Sequence, residues 1–256
     1  WFFFDKTYVC LGTNISSWMK DQVLTTVNQC LLNGEVTVSD ADGIHPQEQG
    51  SRMKKEVRWV VHDKVGYYFL KKENVILSNQ HMEGSWKIAN RQTTTPTDTI
   101  RQDVFTLSID HGSSPNNGGY AYMVIPSSDP QSIEKKVEEE GVVILANCPD
   151  LQAVRHGGLN MAYAVFYKGG TLQVHDKIVV EMDSPGMLMV KYNDVGEILA
   201  LGVSDPTRFM KKLHLSVNQK IVWPAQENIQ TEWDEKQALT RISVDLPQNE
   251  YAGKSV

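Results

Sequence analysis

FTLSIDHGSSPNNGGYAYMVIP, residues 105–126, decides the fold. It sets two apolar runs on either side of a cluster of turn residues. Pro115, Asn116, Asn117, Gly118 and Gly119 make the break, because proline presets a turn and Asn and Gly tolerate positive φ. Tyr120 to Ile125 read as a strand that Pro126 ends, since proline has no N–H to give to a ladder. Apolar runs at this short spacing are those expected of antiparallel sheets.

The same pattern continues outward in both directions. Upstream, EVRWVVHDKVGYYFL (56–70) reads as two strands around a turn or bulge at Gly66, and NVILS (74–78) as a further short strand. WFFFD (1–5) and YVCLG (8–12) are apolar runs of the same kind. Downstream, MAYAVFYKGG (161–170), PGMLMVKYN (185–193) and KLHLSVNQK (212–220) belong to a series of short strands separated by Gly, Asn, Asp and Pro. One segment breaks the pattern: DPQSIEKKVEEEG (129–141) opens on a cap-like Asp129 and Pro130 and stops at Gly141. With apolar residues only at Ile133 and Val137, it predicts a short exposed helix joining two sheet units. The fold class is therefore all-β, antiparallel β-sandwiches with one short linking helix, and the domain boundary falls at about residue 140.

Composition restricts the function. Hydrophobic residues are 41% and charged residues 22%, which suits a packed domain rather than a disordered chain. No apolar stretch approaches the length of a membrane span, so no membrane partner is expected. The net charge is −6. Residues 1–140 carry 14 Lys+Arg against 18 Asp+Glu (−4), and residues 141–256 carry 11 against 13 (−2). Neither half has the clustered cations that grip nucleic acid, and no nucleic-acid partner is expected. Cys10, Cys30 and Cys148 form neither a zinc spacing nor a complete disulfide framework. Cys10, inside YVCLG, reads as a buried free thiol, while a Cys10–Cys30 bridge stays open. Asn14 begins an N-I-S sequon, a pattern short enough to arise by chance.

Two places set a histidine beside an acid: His62-Asp63 and Asp110-His111. A carboxylate-oriented histidine is a common general base. Neighbours along a strand point to opposite faces, however, so neither pair is expected to meet; His111-Gly112 reads as satisfying backbone groups where a strand gives way to a turn. Trp1, Phe2, Phe3 and Phe4 read first as sheet core. Trp59 and Trp86 have polar flanks and are the candidate sugar-stacking residues, with packing as the bland reading of each. No nucleophile elbow, phosphate loop, H-E-x-x-H or calcium-loop spacing is present.

Taken together, WFFFDKTYVCLGTNI (1–15), TTVNQCLLNG (25–34), WVVHDKVGYYF (59–69), the 105–126 stretch, ILANCPDLQAVRH (144–156) and LPQNEYAG (246–253) resemble polysaccharide lyase family 8. That family comprises chondroitin AC and ABC, hyaluronate and xanthan lyases, and the likeness is greatest to the chondroitin AC type. The resemblance implies the end of the family's central β-sandwich over 1–140 and its C-terminal β-sandwich over 141–256. It implies that the chain is the C-terminal part of a larger secreted or periplasmic enzyme, with Trp1 on an inner strand. It implies an acidic polysaccharide substrate, chondroitin sulfate or hyaluronan, cut by β-elimination.

The resemblance also implies that the chemistry lies elsewhere. The family's Asn, His, Tyr and Arg sit on an N-terminal α/α toroid, and its supporting Glu early in the central domain, all before Trp1. The calcium ligands of some members lie upstream too. No catalytic residue, metal ligand or cofactor is assigned to this chain, and its partners are the toroid and early sheet of the same parent. The alternative is a non-catalytic carbohydrate-binding β-sandwich with Trp59 and Trp86 as platforms.

Overall fold

The computed structural model of the chain describes every residue except Ala225. Trp1 and Phe3–Ile133 cluster into one compact unit, and Phe2 with Glu134–Val256 into a second. Both are built from antiparallel strands, as the spacing of turn residues led us to expect.

In the first unit the chain runs through β1 (Phe2–Phe3), β2 (Tyr8–Ile15), β3 (Gln22–Leu31), β4 (Val36–Asp40), β5 (Gly43–Pro46), β6 (Gly50–His62), β7 (Val65–Gly84), α1 (Trp86–Ala89), β8 (Ile100–Ser113) and β9 (Gly118–Pro126). The sheet order is β1-β2-β9-β7-β6-β4-β5, with β8 added to β7 and β3 to β8. NVILS is not a strand of its own: β7 is continuous over 20 residues. Its first part, Val65–Phe69, pairs with β9, and Val75–Gly84 pairs with β8. One strand thereby serves two layers. Phe105 of β8 stacks on His62 of β6 at 4.3 Å and lies 6.0 Å from Tyr67 of β7. Phe69, Val75, Leu77, Leu107 and Ile109 fill the space between the layers and are completely buried. Each such side chain stabilises the unit by about 1.5–3 kcal/mol relative to exposure.

The turn in 56–70 lies at Asp63-Lys64, not at Gly66. Both turn residues have positive φ, 47° and 62°, giving the two-residue hairpin whose twist matches its strands. Gly66 lies within β7, where a Cβ would come 2.6 Å from Ile133 Cδ1. Glycine is required there for close packing rather than for turning. The aromatic opening is also corrected. Only Phe2 is buried, while Trp1 is 81% and Phe3 64% exposed. Period-two alternation puts Phe2 and Phe3 on opposite faces, and β1 pairs only with β2 at the sheet's edge.

The linking helix, α2 (Ile133–Glu140), starts and stops where its signals stand. The Asp129 carboxylate accepts hydrogen bonds from the backbone N–H of Gln131 and Ser132, and Gly141 closes the helix with φ 57°. It is not exposed throughout, because Ile133 is completely buried.

The second unit comprises β10 (Val142–Cys148), β11 (Leu151–His156), β12 (Met161–Phe166), β13 (Gly170–His175), β14 (Ile178–Met182), β15 (Gly186–Tyr192), β16 (Ile198–Ser204), β17 (Lys212–Val217), β18 (Ile229–Asp234) and β19 (Leu239–Asp245). They form two five-stranded sheets, β10-β11-β12-β15-β16 and β13-β14-β17-β19-β18. Alternate residues build the core: Ala162, Ala164 and Phe166, Leu188 and Val190, Leu213, Leu215 and Val217, Ile242 and Val244. Their neighbours in β17 and β19, such as His214 and Arg241, face outward.

Candidate functional site at the mouth of the first sandwich

The two histidine–acid pairs separate in the fold. His62 is 1% exposed, stacked on Phe105. Its Nε2 accepts the backbone N–H of Asn33 at 3.0 Å, so the ring proton sits on Nδ1, which faces Cys30 Sγ at 3.8 Å. Burial holds this imidazole below its ordinary pKa, against the opposing charge of Asp63. The Asp63 carboxylate turns away and accepts from Asn33 Nδ2 at 2.8 Å. With its lone pair engaged, His62 cannot take a substrate proton. Asn28 donates to the Tyr67 hydroxyl beside it, and burial pushes that hydroxyl up to about 12. The cluster is a polar staple anchored on the buried His62 and Tyr67, with half-buried Asn28 and Cys30 at its rim.

His111 is different. It is half-buried near the end of β8, and its Nε2 lies 2.8 Å from Thr25 Oγ1 of β3. Its ring centroid is 6.4 Å from that of Tyr120, and Tyr120 is 5.7 Å from Tyr122. Burial lowers the His111 pKa and raises that of Tyr120. The Asp110 carboxylate accepts the N–H of Gly112 at 2.8 Å, so the acid, rather than His111, satisfies the backbone at this bend. Tyr120 reaches this position because residue 12 is glycine: a Cβ there would come 2.2 Å from the tyrosine ring.

The loops at this same end carry a residue that the sequence reading missed. Trp18, between β2 and β3, is 88% exposed. Its loop is fixed to the 114–117 loop by three hydrogen bonds. Ser17 N–H donates to Pro115 O at 2.9 Å, Asn117 N–H to Ser16 Oγ at 3.0 Å, and Ser114 Oγ to Met19 O at 2.6 Å. The signal was a tryptophan among Ser, Lys and Asp in SSWMKD (16–21), between two strand-like runs. An indole held exposed on a braced loop can stack on a sugar face. Among the described residues no ion pair joins His111 to a carboxylate; its ring faces the Thr25 hydroxyl.

The two tryptophans chosen from sequence lie elsewhere. Trp59 is a correction: it is 0% exposed, and no face of its ring is open to a ligand. Trp86 is 60% exposed on α1, a four-residue helix capped by Ser85 with no buried residue. It stands at the tip of the β7–β8 hairpin, at the opposite end of the 14-residue β8 from His111. That separation is about 40 Å at strand rise, so Trp86 and Trp18 cannot serve one small site. Cys10 is a buried thiol, Cys30 half-buried and Cys148 exposed, and all three are free, so no Cys10–Cys30 bridge forms. Burial raises the Cys10 and Cys30 thiols, which disfavours thiolate chemistry. Among the described residues no group of three His, Cys, Asp or Glu can hold a metal ion, and no helix is long and apolar enough to cross a membrane.

Residues 1–137 match the super-sandwich domain of polysaccharide lyase family 8, and residues 143–214 match that family's C-terminal β-sandwich domain. The chain belongs to this family. It is 35% identical to a chondroitinase-AC of Pedobacter heparinus over 100% of its own length and 34% of the relative's. It is 29% identical to a hyaluronate lyase of Thermasporomyces composti, over 86% of this chain and 28% of the relative. A solved chondroitinase AC lyase, studied as enzyme–oligosaccharide complexes, superposes with a TM-score of 0.82 at 36% identity, covering 100% of this chain and 35% of that one. The chain thus spans about a third of the length of the chondroitinase it matches.

Proposed function

We propose that this chain is the β-sandwich portion of a polysaccharide lyase that cuts uronic-acid-containing glycosaminoglycans, chondroitin sulfate and hyaluronan, outside the cytoplasm. The observation that carries the reading is the family match over 1–137, joined to a likeness to a chondroitinase-AC that runs the full length of the chain. In the reaction a base removes the C5 proton of the uronate, the C4–O bond breaks, and a C4=C5 double bond forms. The departing sugar oxygen takes up a proton. Such a step needs a base within hydrogen-bond reach and neutralisation of the adjacent carboxylate.

The staple around His62 and the mouth around His111 offer neither, so the reacting groups belong to the rest of the longer polypeptide. The role of these sandwiches is to support that part and to present loops to the substrate. Trp18, exposed on its braced loop, is the candidate for that contact. The acidic balance of residues 1–140 fits a supporting wall, the cationic groups being supplied by the remainder.

The test is mass spectrometry of the products that the full-length protein releases from chondroitin sulfate and hyaluronan. Elimination gives oligosaccharides one water lighter than hydrolysis products, with an unsaturated uronate at the non-reducing end. Hydrolysis products, or no cleavage of either polymer, would overturn the reading.

A further inference from the structure

The outer face of the β13-β14-β17-β19-β18 sheet carries a second feature, independent of the mouth. Cross-strand register aligns Glu181 of β14, Ser216 of β17, Arg241 of β19 and Glu232 of β18 in one row. The adjacent row on the same face places His214 beside Ser243. These six side chains line a depression of about 580 Å³, within the size range of small-ligand sites. Leu215 and Ile242, which alternate with them, point into the core and fix the register.

The chemistry of this surface is specific. Four strands span about 14 Å, so the grid is as wide as a short oligosaccharide is long. Carboxylate, hydroxyl, guanidinium and carboxylate follow one another across the first row and imidazole and hydroxyl across the second, giving acceptors and donors at strand spacing. Arg241 is held in place by the Asp234 carboxylate at 3.2 Å. Glu181, Glu232 and Asp183, which also lines the depression, are in no ion pair among the described residues. Three unpaired carboxylates against one arginine repel a sulfated or uronate polymer. They accept hydrogen bonds from sugar hydroxyls without that conflict.

We infer that this face binds a neutral, hydroxyl-rich oligosaccharide in extended form, laid across the strands along the Glu181–Ser216–Arg241–Glu232 row. This uncharged ligand class differs from the acidic substrate of the proposed lyase. It would let the second unit hold the protein to a neutral glycan while the polymer to be cut is engaged elsewhere. The inference is independent of the lyase reading and survives if that reading fails.

Two-dimensional amide NMR of the 256-residue chain, titrated with cellohexaose, laminarihexaose and mannohexaose, tests it. A chondroitin hexasaccharide and a glucosamine hexamer serve as charged controls. At least one neutral hexasaccharide is expected to shift the amides of Ser216, Arg241 and Ser243. Ser216→Trp, which fills the depression from an outward-facing position, is expected to weaken that binding at least tenfold with an unchanged melting temperature. Arg241→Ala should weaken it as well and provides a second variant if the bulky one disturbs the sheet. Silence with all three neutral sugars, stronger binding of either charged control at this face, or full binding by both variants would overturn the inference.

Discussion

The interior of the first sandwich and its mouth use the same residue types to different ends. Around the buried His62 and Tyr67, half-buried Asn28 and Cys30 and the Asn33 backbone supply the polar partners. At the mouth, His111, Thr25 and Tyr120 remain half-buried at the end of the strands where a braced loop carries an exposed tryptophan. A histidine next to an acid therefore says little about chemistry. Position along the strand decides whether the ring becomes a structural acceptor or a surface group, and in neither place does the sequence neighbour supply a carboxylate to orient it.

The largest effect should come from the interior. His62→Ala removes a buried ring stacked on Phe105 and leaves the Asn33 N–H without its acceptor, at a cost of about 2–4 kcal/mol in urea unfolding. A loss under about 0.5 kcal/mol would break the distinction between interior and mouth. Gly66→Val should follow, at about 1–3 kcal/mol, because its side chain meets Ile133 Cδ1. Adding Ile133→Ala should recover part of that strain, and strict additivity of the two changes would contradict the packing account.

The pH dependence sharpens the comparison. Burial depresses the folded pKa of His62 and, against the opposing charge of Asp110, of His111. The unfolded chain therefore binds protons near the ordinary value of about 6.5 that the folded chain still refuses. Stability from this source is complete above that pH and is lost as pH falls through the folded values. Melting temperature should drop between neutrality and about pH 5, and His62→Gln should flatten the slope more than His111→Gln does.

At the surface the expected order reverses from stability to activity. Trp18→Ala should leave the melting temperature nearly unchanged and lower kcat/KM of the full-length protein up to about tenfold, the worth of one aromatic contact of about 1.4 kcal/mol. Trp86→Ala should change kcat/KM less than about twofold, because the hairpin tip lies at the far end of β8. Equal losses from the two substitutions would merge the mouth and the tip into one functional surface.

Much of the fold was legible because strand signals are local. Turn residues at 115–117, the stop at Gly141 and the alternation in KLHLSV each state a physical preference that the structure keeps. What misled was packing between layers. Gly66 looked like a turn residue, yet its missing side chain is explained by Ile133, 67 positions away in sequence and adjacent in space. NVILS looked separate because polar KKEN interrupts the apolar pattern, although the backbone runs on as β7 and changes partners there. The same limit governed the tryptophans. Polar flanks made Trp59 resemble a platform, but in a strand the flanking residues face away from it and do not report its own burial. Trp18 was missed because its loop reads as a plain connection, and only the bonds that Ser114 and Ser17 donate and Ser16 accepts reveal it as braced.

The most direct measurement follows the ultraviolet absorbance of new unsaturated uronate from chondroitin sulfate, with the 256-residue chain in one cell and the full-length protein in another. Product should appear with the full-length protein and not, above buffer, with the chain alone. Product from the chain alone, abolished by His111→Ala, would contradict the claim that these sandwiches support a lyase whose reacting groups lie outside them.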